Sequence, residues 1–221
     1  MPNPDEPNQL RATPADAPEQ WTAMPCLTGR LIRLRPLVAE DAGGYLSAAQ
    51  AMGPQAAAEV FRHLSMVPPI DEATAGLQVA LALAARARGE RFPYAQIDLA
   101  SGEFVGTTSF YEVSPATRSI AIGHTWLSAD HWRTGHNTDA KLLLLGHAFE
   151  ILGAVRVVWH TDIRNERSQN AIARLGATRE GVLRKHRIRL DGTWRDTVQY
   201  AMTDADWPTA RDRLRARLDA G

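Results

Sequence analysis

The segment from 138 to 152 is apolar at nearly every position around a helical turn. Its apolar side chains are Ala140, Leu142, Leu143, Leu144, Leu145, Ala148, Phe149, Ile151 and Leu152. A helix on a protein surface keeps one face polar, whereas a helix that is apolar on all sides is buried. We therefore expect a helix that begins near Thr138 and lies between other layers of the structure.

The segments on either side of this helix favour strands. Residues 154–161 (AVRVVWHT) follow it directly, and residues 118–127 (RSIAIGHTWL) precede it. Strand, helix and strand joined by short links are typical of a parallel crossover. Residues 92–99 and 103–113 alternate in polarity and are separated by short turns, so together with 118–127 they predict an antiparallel meander.

Further elements surround this centre. Residues 30–37 favour a short strand, and residues 71–90 favour a helix with acidic residues at its start and basic residues at its end. Residues 164–177 predict a helix that has Asn165 as its N-cap and stops at Gly176.

The C-terminal part predicts a hairpin and a final helix. Asp191-Gly192 is a two-residue turn signal between two strand-like segments, and Asp204 or Asp206 would cap a terminal amphipathic helix. The order of elements predicts an α/β layer structure built on one mixed sheet.

Composition divides the chain into an arm and one domain. Residues 1–25 contain six prolines, which predicts a mobile N-terminal arm, and residues 26–221 suit one globular domain. Cys26 is the sole cysteine, so an internal disulfide and a thiolate-rich metal site are excluded. We interpret it as a spare thiol rather than a nucleophile, because nothing nearby in the sequence would lower its pKa.

The charge balance argues against bulk electrostatic partners. The chain has 25 basic and 25 acidic residues, which gives no indication of a nucleic-acid or membrane partner. No secretory signal opens the chain and no apolar run approaches a membrane span, so the expected location is the cytoplasm. Seven scattered histidines without metal spacing predict no metal site.

A polar loop, RTGHNT at 133–138, leads into the apolar helix. The first turn of a helix offers unpartnered N–H groups and the positive end of the helix dipole. Gly135 supplies the bend, Arg133 and His136 supply charge, and Thr138 supplies a hydroxyl. The pattern indicates a phosphate or pyrophosphate site, although the chain lacks the glycine-rich fingerprints of nucleotide and dinucleotide folds.

Three blocks carry a family resemblance: HWRTGHNTDAKLLLL, NERSQNAIARLGA and REGVLRKH with DGTWRDTVQY. The chain from about Leu27 to Trp207 resembles the GNAT superfamily of acyl-CoA-dependent N-acyltransferases. Within it the chain resembles the branch of ribosomal-protein N-terminal (Rim-type) acetyltransferases. The resemblance implies a single GNAT-like domain with a mostly antiparallel mixed sheet, in which one parallel strand pair splays apart.

The family's loop pattern is Arg or Gln, two residues, Gly, one residue, then Gly or Ala. The matching positions here are Trp132, Gly135 and Asn137, so the basic residue is shifted to Arg133. Asn tolerates positive φ, and we expect the loop to form with Asn137 in that conformation.

The resemblance implies that the protein binds acetyl-CoA and assigns the residues that hold it. The implied cofactor-binding residues are Trp126, Leu127, Arg133, Thr134, Gly135, His136, Asn137, Thr138, Asn165 and Ser168. Backbone groups of Trp126 and Leu127 would pair with pantetheine and polarise the thioester carbonyl. A bulge at Gly123 is consistent with that role, as is a simple packing role for this glycine.

Acyl transfer also needs proton donors and acceptors. Ser168 is the candidate donor to the departing thiolate. Candidates for the base are His124, His186, Glu112 and Asp162, among which we place His124 and His186 first.

The predicted function is transfer of an acetyl group from acetyl-CoA to a primary amine. Two alternatives stay open: succinyl-CoA as the donor, with Arg133 or Arg164 holding its second carboxylate, and a CoA-binding protein without turnover. The acceptor is a protein N-terminus or a small amine, bound by segments near 52–75 and 184–192. The oligomeric state stays open at this point; a homodimer is one possibility, because relatives often dimerise.

Overall fold

The computed structural model describes residues 17–220. It contains eight strands, which form one sheet. The strands are β1 (Leu27–Thr28), β2 (Ile32–Pro36), β3 (Arg91–Asp98), β4 (Phe104–Ser114), β5 (Ser119–Leu127), β6 (Arg156–Asp162), β7 (Thr178–Ile188) and β8 (Trp194–Thr203).

Seven α-helices of the described range flank the sheet. They are α1 (Ala17–Thr22), α2 (Ala42–Gln50), α3 (Gly53–Phe61), α4 (Glu72–Ala87), α5 (His136–Gly146), α6 (Glu166–Leu175) and α7 (Trp207–Asp219). The caps follow the sequence signals. Asp71 caps α4 by accepting from the Thr74 N–H at 2.8 Å, and Asn165 caps α6 by accepting from the Ser168 N–H at 3.0 Å.

The strand order is β1-β2-β3-β4-β5-β6-β8-β7. All neighbours are antiparallel except β5 and β6, which run parallel and are joined through α5. The predicted meander and the predicted parallel crossover are therefore both confirmed. This α/β architecture is the mixed, mostly antiparallel sheet with one parallel pair that the sequence predicted.

The parallel pair separates soon after it begins. Pairing covers only three residue pairs, from Ser119 with Arg156 to Ala121 with Val158. Both strands continue beyond that point, β5 to Leu127 and β6 to Asp162. The carboxyl ends of the two strands consequently leave a gap in the sheet, as the resemblance implied.

β5, which borders this gap, contains a β-bulge. Between the pairs Thr107–Trp126 and Ser109–Gly123, β5 carries one residue more than β4. His124 has a φ of 49° at this point. A Cβ on Gly123 would lie 2.7 Å from the Tyr111 ring, so close packing also requires glycine there.

Two hydrophobic clusters hold the layers together. The larger lies between the sheet and α5, α6 and α7, and Leu144 and Leu145 of α5 are fully buried in it. The smaller lies under α2, α3 and α4 and centres on Trp126, whose ring packs against Tyr45 and Phe61. The expected burial of α5 is confirmed, although α5 begins at His136 and its last turn widens to a π-helix (His147–Ile151).

Several boundaries differ from the sequence predictions. Residues 1–16 of the predicted arm lie outside the described residues, but residues 17–22 form α1, whose Trp21 is buried in the larger cluster. Residues 53–61 form α3, although that segment was expected only as part of the variable acceptor region. Cys26 is exposed and free, consistent with a spare thiol.

The β7–β8 turn is longer than its Asp-Gly signal predicted. The Arg189 N–H donates to the Thr193 carbonyl at 2.9 Å and closes a three-residue loop. Gly192 takes a φ of 79°, which is the left-handed position of a three-residue turn. The two-residue prediction is therefore wrong, because Gly192 occupies the third loop position rather than the second.

Candidate active site

The loop before α5 has its bends at two positions. Gly135 is the N-cap of α5 with a φ of 90°, and Arg133 has a φ of 66°. Asn137 lies in the first helical turn, so the expectation of positive φ at Asn137 is wrong. No side chain caps this helix, which leaves its first N–H groups directed out of its end.

The His136 side chain ties this loop to the sheet. Its Nε2 donates to Asp98 Oδ1 at 2.8 Å, and its Nδ1 lies 2.8 Å from Thr134 Oγ1. Asp98 also accepts from the N–H and hydroxyl of Ser101. The hydrogen bond from His136 is the largest of the causes that lower the pKa of Asp98. The buried His136 ring therefore fixes the loop to the sheet, and only the main-chain N–H of His136 is available to a ligand.

Asp139 fixes the body of α5 to the edge of β2. Its buried carboxylate accepts from the Leu31 N–H at 2.7 Å and the Ile32 N–H at 3.2 Å. A Cβ on Gly29 would lie 2.4 Å from this carboxylate, so only glycine permits the chain to pass so close. These bonds hold the start of α5 rigid relative to the sheet.

The carbonyl groups of Trp126 and Leu127 are already engaged within the protein. The Trp126 oxygen accepts from Gln96 Nε2 at 3.0 Å, and the Leu127 oxygen accepts from Trp132 Nε1 at 3.1 Å.

The guanidinium of Arg167 lies 4.1 Å above the Trp132 ring, a cation–π contact. This contact links the loop before α5 to the first turn of α6, where Ser168 is half-buried.

The part of α5 behind this loop carries a buried amine. Lys141 Nζ donates to the hydroxyls of Thr108 and Thr125, both at 2.9 Å. Burial lowers the pKa of Lys141 to about 7. Within residues 17–220 no carboxylate pairs with it. Sequence analysis missed this residue, since a lysine among leucines is usually a solvent-facing position.

Three histidines and two β4 residues form a histidine cluster: Tyr111, Glu112, His124, His160 and His186. The rings of Tyr111 and His124 meet edge to face at 5.3 Å between centroids, and those of His160 and His186 lie 5.8 Å apart. These residues come from β4, β5, β6 and β7, and His124 and His160 lie on the two strands that border the gap.

A hydrogen-bond chain runs through this cluster. The Gln199 amide nitrogen donates to Glu180, which directs the Gln199 oxygen to His160 Nε2 at 3.2 Å. His160 Nε2 is therefore the donor, and its Nδ1 accepts from the Tyr111 hydroxyl at 3.0 Å. Sequence analysis missed Tyr111 and His160. The available signal was weak, because strand 154–161 also contains the polar residues Arg156 and Thr161.

The predicted base candidates lie in different surroundings. His124 is exposed, yet the groups around its ring lower its pKa, by desolvation first and then by the charges of Arg91 and Arg187. Desolvation and Arg187 also lower the pKa of His186, on a bulged part of β7. Both are neutral at pH 7. Glu112 is exposed and 3.8 Å from His160 Nδ1.

Asp162, the fourth candidate, is held by arginine. Arg189 donates to both of its oxygens at 2.7 and 2.9 Å, and the Arg164 N–H donates at 2.9 Å. Burial alone would raise the pKa of Asp162, but these hydrogen bonds and the charges of Arg189 and Arg195 leave it below its usual value. Asp162 is therefore an ionised structural partner and is poorly suited to accept a proton.

Asp162 belongs to a cleft of about 270 Å³, which we call the arginine pocket. Its ionisable lining residues are Arg62, His63, Asp162, Arg164, Arg189, Asp191 and Arg195. The walls come from the turn after α3 and from the tip of the β7–β8 hairpin. Both walls fall in the segments that were expected to form the acceptor cleft.

Two further properties concern metals and membranes. One trio in the described range, Asp98, His131 and His136, brings candidate ligand atoms within 4.8 Å of one another. Asp98 and His136 already bond each other, so these groups are satisfied without an ion, and the absence of a metal stays a prediction. Across residues 17–220, every helix is too short or too polar for a transmembrane segment.

The fold described above and a match to a family model assign the chain to one known family. Residues 31–178 match the model of the acetyltransferase (GNAT) domain, which is more than half of the chain. The chain therefore belongs to the GNAT acetyltransferase family and is an acyl-CoA-dependent acetyltransferase. The resemblance in the three sequence blocks is confirmed.

Named relatives agree with this assignment. The chain is 30% identical over 148 residues to the uncharacterized N-acetyltransferase YoaA of Bacillus subtilis (strain 168), covering 65% of this chain and 80% of YoaA. It shares the fold of a GCN5-related N-acetyltransferase from Brucella melitensis, with a TM-score of 0.83, 27% identity and coverage of 89% and 86%.

A Rim-type enzyme is also among the proteins with this fold. Mycobacterium smegmatis RimJ in complex with CoA-disulfide has a TM-score of 0.72 and 24% identity, over 90% of this chain and 96% of RimJ. At that identity the likeness concerns the fold.

Proposed function

We propose that the chain transfers the acetyl group of acetyl-CoA to a primary amine, either a protein N-terminus or a small amine. One observation carries the proposal: the β5–β6 gap opens at the end of β5 from which the loop to the uncapped α5 departs. A gap between strands accepts an extended chain as an added strand. Uncapped N–H groups at a helix start attract a diphosphate.

In the proposed complex the loop before α5 binds the diphosphate of coenzyme A. The main-chain N–H groups of residues 134–138 supply the donors, and the exposed Arg133 adds a positive charge. His136 contributes its N–H rather than its ring, because the ring is bonded to Asp98. The Thr138 hydroxyl belongs to the predicted set, whereas the Thr134 hydroxyl is already bonded to the His131 carbonyl and lies 2.8 Å from His136 Nδ1, so Thr134 contributes its N–H.

The reaction itself is a direct transfer between two bound partners. The neutral amine nitrogen attacks the thioester carbonyl carbon, a C–N bond forms, and the C–S bond breaks. A histidine of the cluster takes the proton from nitrogen. His124 and His186 are both neutral at pH 7, but His186 is the better base, because desolvation and the charges of Arg91 and Arg187 lower the pKa of His124 to about 3. Ser168 supplies a proton to the thiolate and regains one from solvent.

A pair of glycine variants tests the donor site. Gly135→Ala places a Cβ 2.9 Å from Leu31 Cδ1 and strains a φ of 90° in the loop. Gly89→Ala is the matched control, because it strains a φ of 71° with open space around it and lies at the end of α4. We expect coenzyme A to bind the Gly135→Ala variant at least about tenfold more weakly by calorimetry, and the control to bind as the parent does. Equal affinities in all three proteins would overturn the donor site.

Turnover is tested by release of free thiol from acetyl-CoA in the presence of a panel of peptides and small amines. Release that depends on an amine supports the proposal, and release that no amine accelerates contradicts it.

A succinyl donor is the second candidate, favoured by the positive arginine pocket at the end of β6. Comparing succinyl-CoA with acetyl-CoA in the same assay distinguishes the two. The homodimer stays a prediction, which sedimentation would test.

A further inference from the structure

The arginine pocket contains more positive charge than its carboxylates neutralise. Four arginines line it against two aspartates. Arg189 binds Asp162 through both of its oxygens, and Arg62 pairs with Glu59 at 2.9 Å outside the pocket. Those pairs account for two of the arginines and leave the other two, Arg164 and Arg195, to be considered.

Arg195 is the least satisfied of these groups. Its side chain is 11% exposed, and its Nε lies 4.0 Å from Asp162 Oδ2, beyond hydrogen-bond distance. The same Nε is buried without a hydrogen-bond partner. A buried, unpartnered guanidinium N–H is costly for the fold, which indicates a position kept for a ligand.

Arg164 adds a second available guanidinium at the mouth of the pocket. It directly precedes Asn165, the N-cap of α6, and its side chain is exposed while its N–H is used by Asp162. His63 adds no charge at neutral pH, because desolvation first and then the neighbouring arginines lower its pKa. Of the two aspartates of the pocket, Asp162 is bound by Arg189 and Asp191 accepts from Thr193, so neither binds the guanidinium of Arg164 or Arg195 at hydrogen-bond distance in the described residues.

The pocket adjoins the histidine cluster. Arg195 lies opposite Arg187 in the β7–β8 register, and Arg187 is 3.8 Å from Glu112. The charge of Arg195 also acts on the pKa of Tyr111. A molecule that occupied both regions would therefore place one end among the arginines and the other beside the histidines.

We propose that this pocket binds a carboxylate of the acceptor, so that the substrate is an amine with an acidic group a few bonds away, such as an acidic peptide N-terminus. The inference rests on the proposed function and narrows it. Guanidinium groups bind carboxylates through two parallel hydrogen bonds, which would satisfy Arg195. Polycationic acceptors such as polyamines and aminoglycosides would be repelled by the same charges.

The carboxylate has two chemical sources, the acceptor and a succinyl donor. Two matched peptides separate them: one has acidic residues at its second and third positions, and the other has the corresponding amides. Each is measured with acetyl-CoA and with succinyl-CoA. If the pocket serves the acceptor, the acidic peptide is preferred with acetyl-CoA. A preference for succinyl-CoA with the amide peptide would instead assign the pocket to the donor and overturn the proposal.

Binding is measured separately from turnover, by calorimetry on the full chain saturated with coenzyme A. We expect the acidic peptide to bind at least about tenfold more tightly than the amide peptide. Arg164→Gln and Arg195→Gln should each reduce that ratio severalfold. Arg174→Gln is the matched control, since Arg174 is exposed on α6 and does not line the pocket. Arg164→Gln keeps the test valid if the buried Arg195→Gln variant does not fold.

The outcomes distinguish this inference from the proposed function. If the acidic peptide binds preferentially but releases no thiol, the pocket is supported and the proposed transfer to amines fails. If both peptides are acetylated with equal kcat/KM and bind equally, the transfer stands and the pocket inference is overturned. If neither peptide binds, the pocket inference is likewise overturned.

Discussion

The acetyl-donor side of this site is the region around the start of α5, and the acceptor side is the arginine pocket with the histidine cluster. The two sides differ in how their polar groups are paired. Around the start of α5, the buried side chains of Asp98, His136 and Asp139 are bound to one another or to main chain. In the arginine pocket and the histidine cluster, several polar groups lie at long distances or lack a partner. The Arg195 Nε and Glu112, at 3.8 Å from His160, are examples.

This difference indicates which part of the site is already in its binding conformation before a ligand binds. A diphosphate needs rigid N–H donors, so the loop before α5 is fixed by internal bonds that do not change on binding. The acceptor side has charged groups that would gain a partner only when a substrate binds. Substitutions on the donor side should therefore cost stability, whereas those on the acceptor side should cost turnover or recognition.

The largest expected effect is that of Asp139→Ala. It removes two charge-assisted hydrogen bonds and leaves the buried Ile32 N–H unsatisfied, which should lower the free energy of unfolding by about 3 kcal/mol. The midpoint of thermal unfolding should fall by roughly 6–12 °C for a chain of this size. Asp212→Ala, at an exposed ion pair on α7, is the control and should change little. An equal response of the two variants would remove the contrast on which the comparison depends.

The second prediction concerns the one group on α5 that opposes stability. The pKa of Lys141 falls from 10.5 to about 7 in the folded state, so the native protein binds fewer protons than the unfolded chain between those values. Stability should therefore rise with pH from about 7 to 10.5, and the burial penalty is fully present below pH 7. Lys141→Met should stabilise the protein at pH 7 by about 2 kcal/mol, since its lost hydrogen bonds offset part of the relieved penalty.

Urea unfolding of both proteins between pH 7 and 10 checks this. The gain in the Lys141→Met variant should shrink as pH rises, and the rise in stability should be smaller than in the parent. A variant that is less stable at pH 7, with an unchanged pH slope, would show that Lys141 is stabilising.

The smallest effect on stability is expected on the acceptor side. Tyr111→Phe keeps the ring contact with His124 and removes one hydroxyl from His160, which should cost about 1 kcal/mol of stability. If the Tyr111–His160 pair takes part in proton transfer, kcat should fall about 100-fold. Coenzyme A affinity should not change. A variant that loses coenzyme A affinity and keeps kcat would assign Tyr111 to the donor side.

The fold was predictable because its strongest signals are local. The apolar wheel of α5, the caps of α4 and α6, and the strand alternation of the meander all depend on neighbouring residues. The three-residue turn at Gly192 was missed because an Asp-Gly pair fits more than one loop length. α3 was missed because its signal is a short alanine-rich run without a cap.

The site was predictable only where a motif names adjacent residues. The loop at 133–138 and the N-cap Asn165 are of this kind. Tyr111, His160 and Arg195 come from three strands that are distant in sequence, and only the order β4-β5-β6-β8 brings them to one side of the sheet. His136 shows a further limit, because its ring was expected to face an anion and the distant Asp98 binds it instead.

The early end of pairing between β5 and β6 gives the sheet an internal edge. An external edge exposes a template on which foreign chains can grow, whereas this one lies between strands that are each paired on their other side. Its opening is set by backbone register rather than by any single side chain. The width of the gap should therefore change little on most single side-chain substitutions, Gly123 excepted, and a ligand would be selected by its width and extended shape.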